Sequence, residues 1–114
     1  MLYKPIINVT STSFTLVPTY SNSLIVVDTP FNMTVQLPNN LSVGFNVTVI
    51  QKGTGIVIFQ PNSQSTLFNN LGHNSTKKRY AVSNLYVTRN LTGFSAQYVL
   101  AGSTKSTTES PTTS

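Results

Sequence analysis

The chain has no cysteine and no tryptophan, a single histidine, His73, and only two acids, Asp28 and Glu109. Without thiols there is no disulfide framework and no thiolate nucleophile or metal ligand. A glycosidase needs two placed carboxylates, but Asp28 stands at a turn and Glu109 in a Ser/Thr-rich tail. A hydrolase triad needs nucleophile, histidine and acid held together. Here His73 falls in an Asn-rich loop and no motif surrounds Asp28. One histidine and two acids are too few for a metal cage. There is no phosphate-binding G-x-x-x-x-G-K-[ST] loop, and Gly53 and Gly55 read as turn glycines. The sequence therefore predicts no enzyme: no catalytic, cofactor-binding or metal-ligating residue, and no cofactor.

Charge and long apolar runs are scarce as well. Charged residues make up 8% of the chain, against about 25% in an average globular protein. The longest unbroken apolar runs, residues 24–27 among them, are four residues, far below the ~20 that a membrane helix requires. Met1 is followed by Leu2, Tyr3, Lys4 and Pro5, which form neither a basic leader nor a long apolar segment. The expectation is a protein soluble as synthesised, with no membrane partner.

What is present fits one domain. At 114 residues a single core buries roughly two-thirds of the unfolded surface. Seven Lys and Arg against two acids give a formal charge of +5. Only Lys77, Lys78 and Arg79 are consecutive. They are the one candidate for a nucleic-acid or anion contact. A nucleic-acid binder usually needs a basic stripe that neutralises several phosphates, so nucleic acid is not an expected partner. The simpler role of the triplet is to keep a low-charge surface soluble.

Ser and Thr form about a quarter of the chain, and Asn is frequent. Six N-x-[ST] sequons follow, at Asn8, Asn32, Asn40, Asn46, Asn74 and Asn90. With no leader peptide in view, they read as polar β-surface rather than glycan acceptors.

The pattern is of strands almost throughout. Phe31, Met33, Val35 and Leu37 alternate with Asn32, Thr34 and Gln36, and Phe45, Val47 and Val49 with Asn46 and Thr48. That period of two predicts half-buried strands with each apolar set on one face. Further strands are expected over 14–17, 24–28, 56–59, 80–89 and 96–101. Residues 28–30 read as a tight corner and residues 37–44 as a turn-rich connection. Residues 52–55, with Gly53 and Gly55, read as a hairpin turn. Turn signals every 8 to 12 residues predict an all-β domain, a small antiparallel β-sandwich or jelly-roll-like fold. The expected organisation is an N-terminal arm over 1–11, the β-domain over 12–102, and a flexible Ser/Thr-rich tail over 103–114.

Several stretches, taken in order, resemble a small β-domain of phage and virus structural proteins, the kind found in tail fibres, head fibres and capsid decoration. They are Ser13, Phe14, Thr15 and Leu16; residues 22–28; Val35 to Leu37 with Pro38 to Phe45; Val49 to Gly55, with Val57 and Phe59 after them; Tyr80, Ala81 and Val82; and Tyr98 to Gly102. The likeness covers about four-fifths of the chain and carries over no catalytic residue. It implies a virion building block, frequently a homotrimer. Because the domain is nearly the whole chain, a minor capsid or capsid decoration (cement) protein is the leading expectation, with the major capsid protein or other virion proteins as partners. The other is a fibre module that binds a host-surface receptor or glycan.

Overall fold

The structure, a computed structural model, describes residues 6–69 and 72–105. Where the sequence alternates, burial alternates with it. In β4 (Met33–Leu37), Met33, Val35 and Leu37 are buried and Thr34 and Gln36 half-buried. In β5 (Asn46–Gln51), Val47, Val49 and Gln51 point inward. In β9 (Val82–Arg89) the inward set is Ser83, Leu85 and Val87. Phe31 leaves the expected face. It precedes β4, in the corner, and is 65% exposed.

Eleven strands are described, and they form two sheets packed together. The first has the order β1 (Ile6–Val9), β3 (Ser23–Val27), β5, β9, β10 (Gln97–Gly102), β7 (Thr66–Phe68). The second has the order β11 (Thr104–Lys105), β8 (Ser75–Thr76), β6 (Val57–Pro61), β4, β2 (Ser13–Thr15). A single 3-10 turn, Pro18–Tyr20, is the only helical element described. The all-β sandwich is as expected, but its strands are not all antiparallel. From β1 to β8 the chain changes sheet at every step. Through β6, each circuit therefore returns beside the previous one in the same direction. The pairs β1/β3, β3/β5, β2/β4 and β4/β6 are all parallel. Leu24 lies opposite Thr48 and Thr34 opposite Ile58, so one circuit spans 24 residues in both sheets. Antiparallel pairing enters with β8, β9, β10 and β11.

The same alternation corrects the reading of residues 52–55. They do not join a hairpin, because β5 and β6 lie in different sheets. They form a corner stacked on the earlier corner over 28–32. The Gly53 N–H donates to Val27 O and the Gly55 N–H to Thr29 O, so pairing continues around the bend. The glycines serve close backbone approach rather than turn geometry. A Cβ on Gly55 would stand 1.9 Å from the Phe31 carbonyl oxygen.

Two domain limits also move. Residues 6–9, expected in an arm, add β1 to the edge of the first sheet. Residues 103–105, expected in the tail, are tied in: the Ser103 N–H donates to Val82 O, and Thr104 pairs with Thr76. The rest of the expected tail, 106–114, lies outside the described residues.

The core lies between the sheets: Ile25, Val27, Met33, Val35, Leu37, Val47, Val49, Phe59, Leu85, Tyr98 and Leu100, among others. A polar link crosses it. Thr76 Oγ1 donates to Gln51 Oε1 and accepts from the Val57 N–H, so these buried groups are partnered, as burial requires.

Tyr98 is fully buried and its hydroxyl donates to Pro38 O. Burial pushes its pKa well above the ordinary 10.0. The folded chain thus keeps a proton that the unfolded chain releases above pH about 10, so stability falls as pH rises past that point. The extra loss is up to about 1.4 kcal/mol per pH unit. Thermal melts from about pH 8 to 11 should show a steeper alkaline decline for the native chain than for Tyr98→Phe. Equal slopes would contradict this role for Tyr98.

Candidate functional site

The corners gather at the two ends of the sandwich, and the ends differ in chemistry. One end holds the corners over 28–32, 52–56 and 77–81. The opposite end holds the connections over 16–22, 38–45, 62–65 and 90–96.

At the first end the fold brings a fourth cation to the basic triplet. Lys77, Lys78 and Arg79 are exposed in the corner between β8 and β9, and Lys52 is exposed in the corner between β5 and β6. Arg79 Nε donates to Lys52 O at 3.0 Å, which ties the two corners together. The Arg79 guanidinium lies over the Tyr80 ring, 5.0 Å from its centroid. The turn is held on both flanks. The Lys77 N–H donates to Ser103 O, the Ala81 N–H to Lys78 O, and the Tyr80 N–H to Gln51 O. Tyr80 sits in the left-handed region at φ 69° and is 66% exposed. For a bulky non-glycine residue this conformation costs on the order of 1 kcal/mol. Asp28 follows β3, so it lies beside Lys52 at the strand ends and borders the cluster on one side. Lys52 was not legible as a member of this site. It lies 25 residues from Lys77, and only the strand order brings them together.

At the opposite end, exposed apolar side chains sit on loops clamped by side-chain amides. Leu91 is 74% exposed, Phe94 66% and Val43 59%. Asn90 Nδ2 donates to Asn39 O and Leu41 O, while Asn90 Oδ1 accepts from the Ser95 N–H. Asn39 Nδ2 donates to Phe94 O and Gln64 Oε1, and Asn62 Nδ2 to Asn39 Oδ1. Neither loop, 38–45 or 90–95, carries a charged residue. Asn46 likewise clamps Asn22, and Asn32 accepts from the Ile56 N–H. At Asn32, Asn46 and Asn90 the amide is thus engaged in fixing turns. On sequence alone these asparagines read as polar β-surface; the signal that marks them is asparagine recurring within the turns.

The remaining chemistry-bearing residues are apart. His73 Nδ1 faces Thr104 Oγ1 at 3.0 Å, by the β11 edge. The backbone N–H of Asp28 donates to Val9 O, at the β1 edge of the other sheet. Glu109 lies outside the described residues. Beside His73 is a cleft of about 260 Å³ with Phe59, Leu67 and Asn69 in its walls. Among the described residues no three His, Asp or Glu side chains cluster as metal ligands, and no helix is long and apolar enough to cross a membrane.

No family model matches the chain, and no curated protein matches it.

Proposed function

We propose that the chain is a non-enzymatic structural protein of a virus particle, a minor capsid or decoration protein that docks on the outer shell and strengthens it. One observation carries this reading. Val43, Leu91 and Phe94 are held in water on charge-free loops that an amide network fixes in place. Exposed apolar side chains on a preorganised base are what a protein contact surface needs, because little ordering entropy is lost on docking. The resemblance of residues 12–102 to small virion β-domains supplies the particle as the context. Localisation on the virion follows from the same reading.

The copies associate as trimers. With 8% of its residues charged, the chain sets little repulsion between copies. The edge strands β1 and β2 each have a described neighbour on one side only, and cyclic packing covers such edges without building filaments. Light scattering on the purified 12.4 kDa chain should give about 37 kDa, the mass of a closed three-copy ring. The double variant Leu91→Ser/Phe94→Ser should weaken attachment to the shell while leaving the melting temperature within a few degrees, because these side chains lie outside the core. A 12 kDa monomer would contradict the trimer, and unchanged attachment would contradict the docking end.

A further inference from the structure

We infer that the end carrying Lys52, Lys77, Lys78 and Arg79 is a binding site for a polyanion of the sulfated or carboxylated polysaccharide class. This goes beyond the structural role proposed above and does not depend on it. Six Lys and Arg fall within the described residues, and four of them meet here. Arg89 ends β9 at the opposite end, and Lys105 lies on edge strand β11. The concentration of charge is a product of the fold, since two corners from different parts of the chain supply it.

Geometry makes this cluster a presented surface rather than a fringe of loose lysines. The guanidinium of Arg79 is fixed by its bond to Lys52 O and by the Tyr80 ring. The backbone under the lysines is held by the bonds from Lys77 to Ser103 and from Ala81 to Lys78. Tyr80 is kept in an unfavourable left-handed conformation with its ring in water. An apolar ring beside a fixed guanidinium and exposed lysines is complementary to a sugar, whose C–H face packs on the ring while its anionic groups meet the lysines.

The extent of the charge favours a polysaccharide over duplex DNA. Proteins that hold duplex DNA commonly neutralise about 6–10 phosphates along a stripe. Here the cations occupy two adjoining corners, and Asp28 bounds them on the β3 side. A flexible chain with an anionic group on each sugar can fold its charge around a compact cluster. A duplex cannot.

The test uses the full chain and heparin as the probe, with duplex DNA and neutral dextran beside it, in about 50 mM salt, where screening is weak. Binding is read by titration calorimetry. Heparin should bind, dextran should not, and heparin should exceed DNA at equal anion concentration. The triple variant Lys52→Ser/Lys77→Ser/Lys78→Ser should lose about tenfold or more in affinity, three exposed charge contacts being removed. Arg79 is left in place because it ties the corners. The control Arg89→Ser should lose less than about twofold, since its charge lies at the opposite end of β9. Melting curves of both variants establish that the fold is kept. Absence of heparin binding, equal losses in the two variants, or tighter binding of DNA would each overturn the assignment.

Discussion

Val35→Asp is expected to leave the chain unfolded at room temperature, whereas Thr34→Asp folds. Val35 has no solvent exposure, and β4 is flanked by β2 on one side and β6 on the other. Its side chain enters the core with Met33, Leu37 and Phe59, where no cation is available to pair with a carboxylate. Burying such a charge costs several kcal/mol at least, even after the group shifts its pKa and protonates. A domain of this size has about 5–15 kcal/mol of stability in total. Thr34, one residue away, points to the outer face and is only half-buried. Circular dichroism and thermal melting of the two variants decide the matter. A cooperative transition in Val35→Asp near that of the native chain would contradict the inward assignment of this face.

Gly55→Ala is expected to be the most damaging single methyl addition among the glycines of the turns. The new Cβ would meet the oxygen, carbon and nitrogen of Phe31 at 1.9, 2.3 and 2.9 Å, all of them backbone atoms of the neighbouring corner. No side-chain rotation relieves such a contact; one corner must lift off the other and break the bond from the Gly55 N–H to Thr29 O. A loss of roughly 3 kcal/mol, at the upper end of overpacking costs, lowers the melting temperature by roughly 12–24 °C in a domain of this size. Gly44→Ala is the comparison. Gly44 has φ +96° but open space around it, so only the backbone penalty of about 1–2 kcal/mol applies. Equal shifts for the two variants would show that the corners at residues 28–32 and 52–56 are not stacked.

The contrast between these two predictions marks what the sequence made legible. The inward set of β4 followed from the period of two, because alternation states which side of a strand is apolar. The same signal is silent about which sheet a strand enters. Residues 52–55 read equally well as a hairpin or as a corner, since both need glycine, and only the partner strand separates them. The parallel pairing of β3 with β5 was hidden for that reason. Residues 6–9, Ile-Ile-Asn-Val, carried a β-prone pattern that the short arm obscured. Thr104 and Lys105 had no apolar signal at all; β11 pairs with β8 through the backbone. At the candidate site the triplet was visible as a run of bases. Lys52 and the strained Tyr80 were not, because tertiary contact with Gln51 and Lys52 creates that arrangement.

The apolar end and the cationic end also divide the molecule in a way that composition could not express. If Val43, Leu91 and Phe94 face the shell, the cations at the far end of the strands face outward, where a polyanion can reach them. The two surfaces can then be altered independently: serine at Leu91 and Phe94 acts on attachment, and serine at Lys52, Lys77 and Lys78 on polyanion binding.

The most direct test of the structural role is an electron cryomicroscopy map of virus particles purified from the source of this chain. The result expected is density for a two-sheet body of about 41 × 33 × 23 Å on the outer surface, three copies around a local three-fold axis, with the loops over 38–45 and 90–95 against the shell. Particles that lack the chain, or a map that places it singly or inside the shell, would contradict that role.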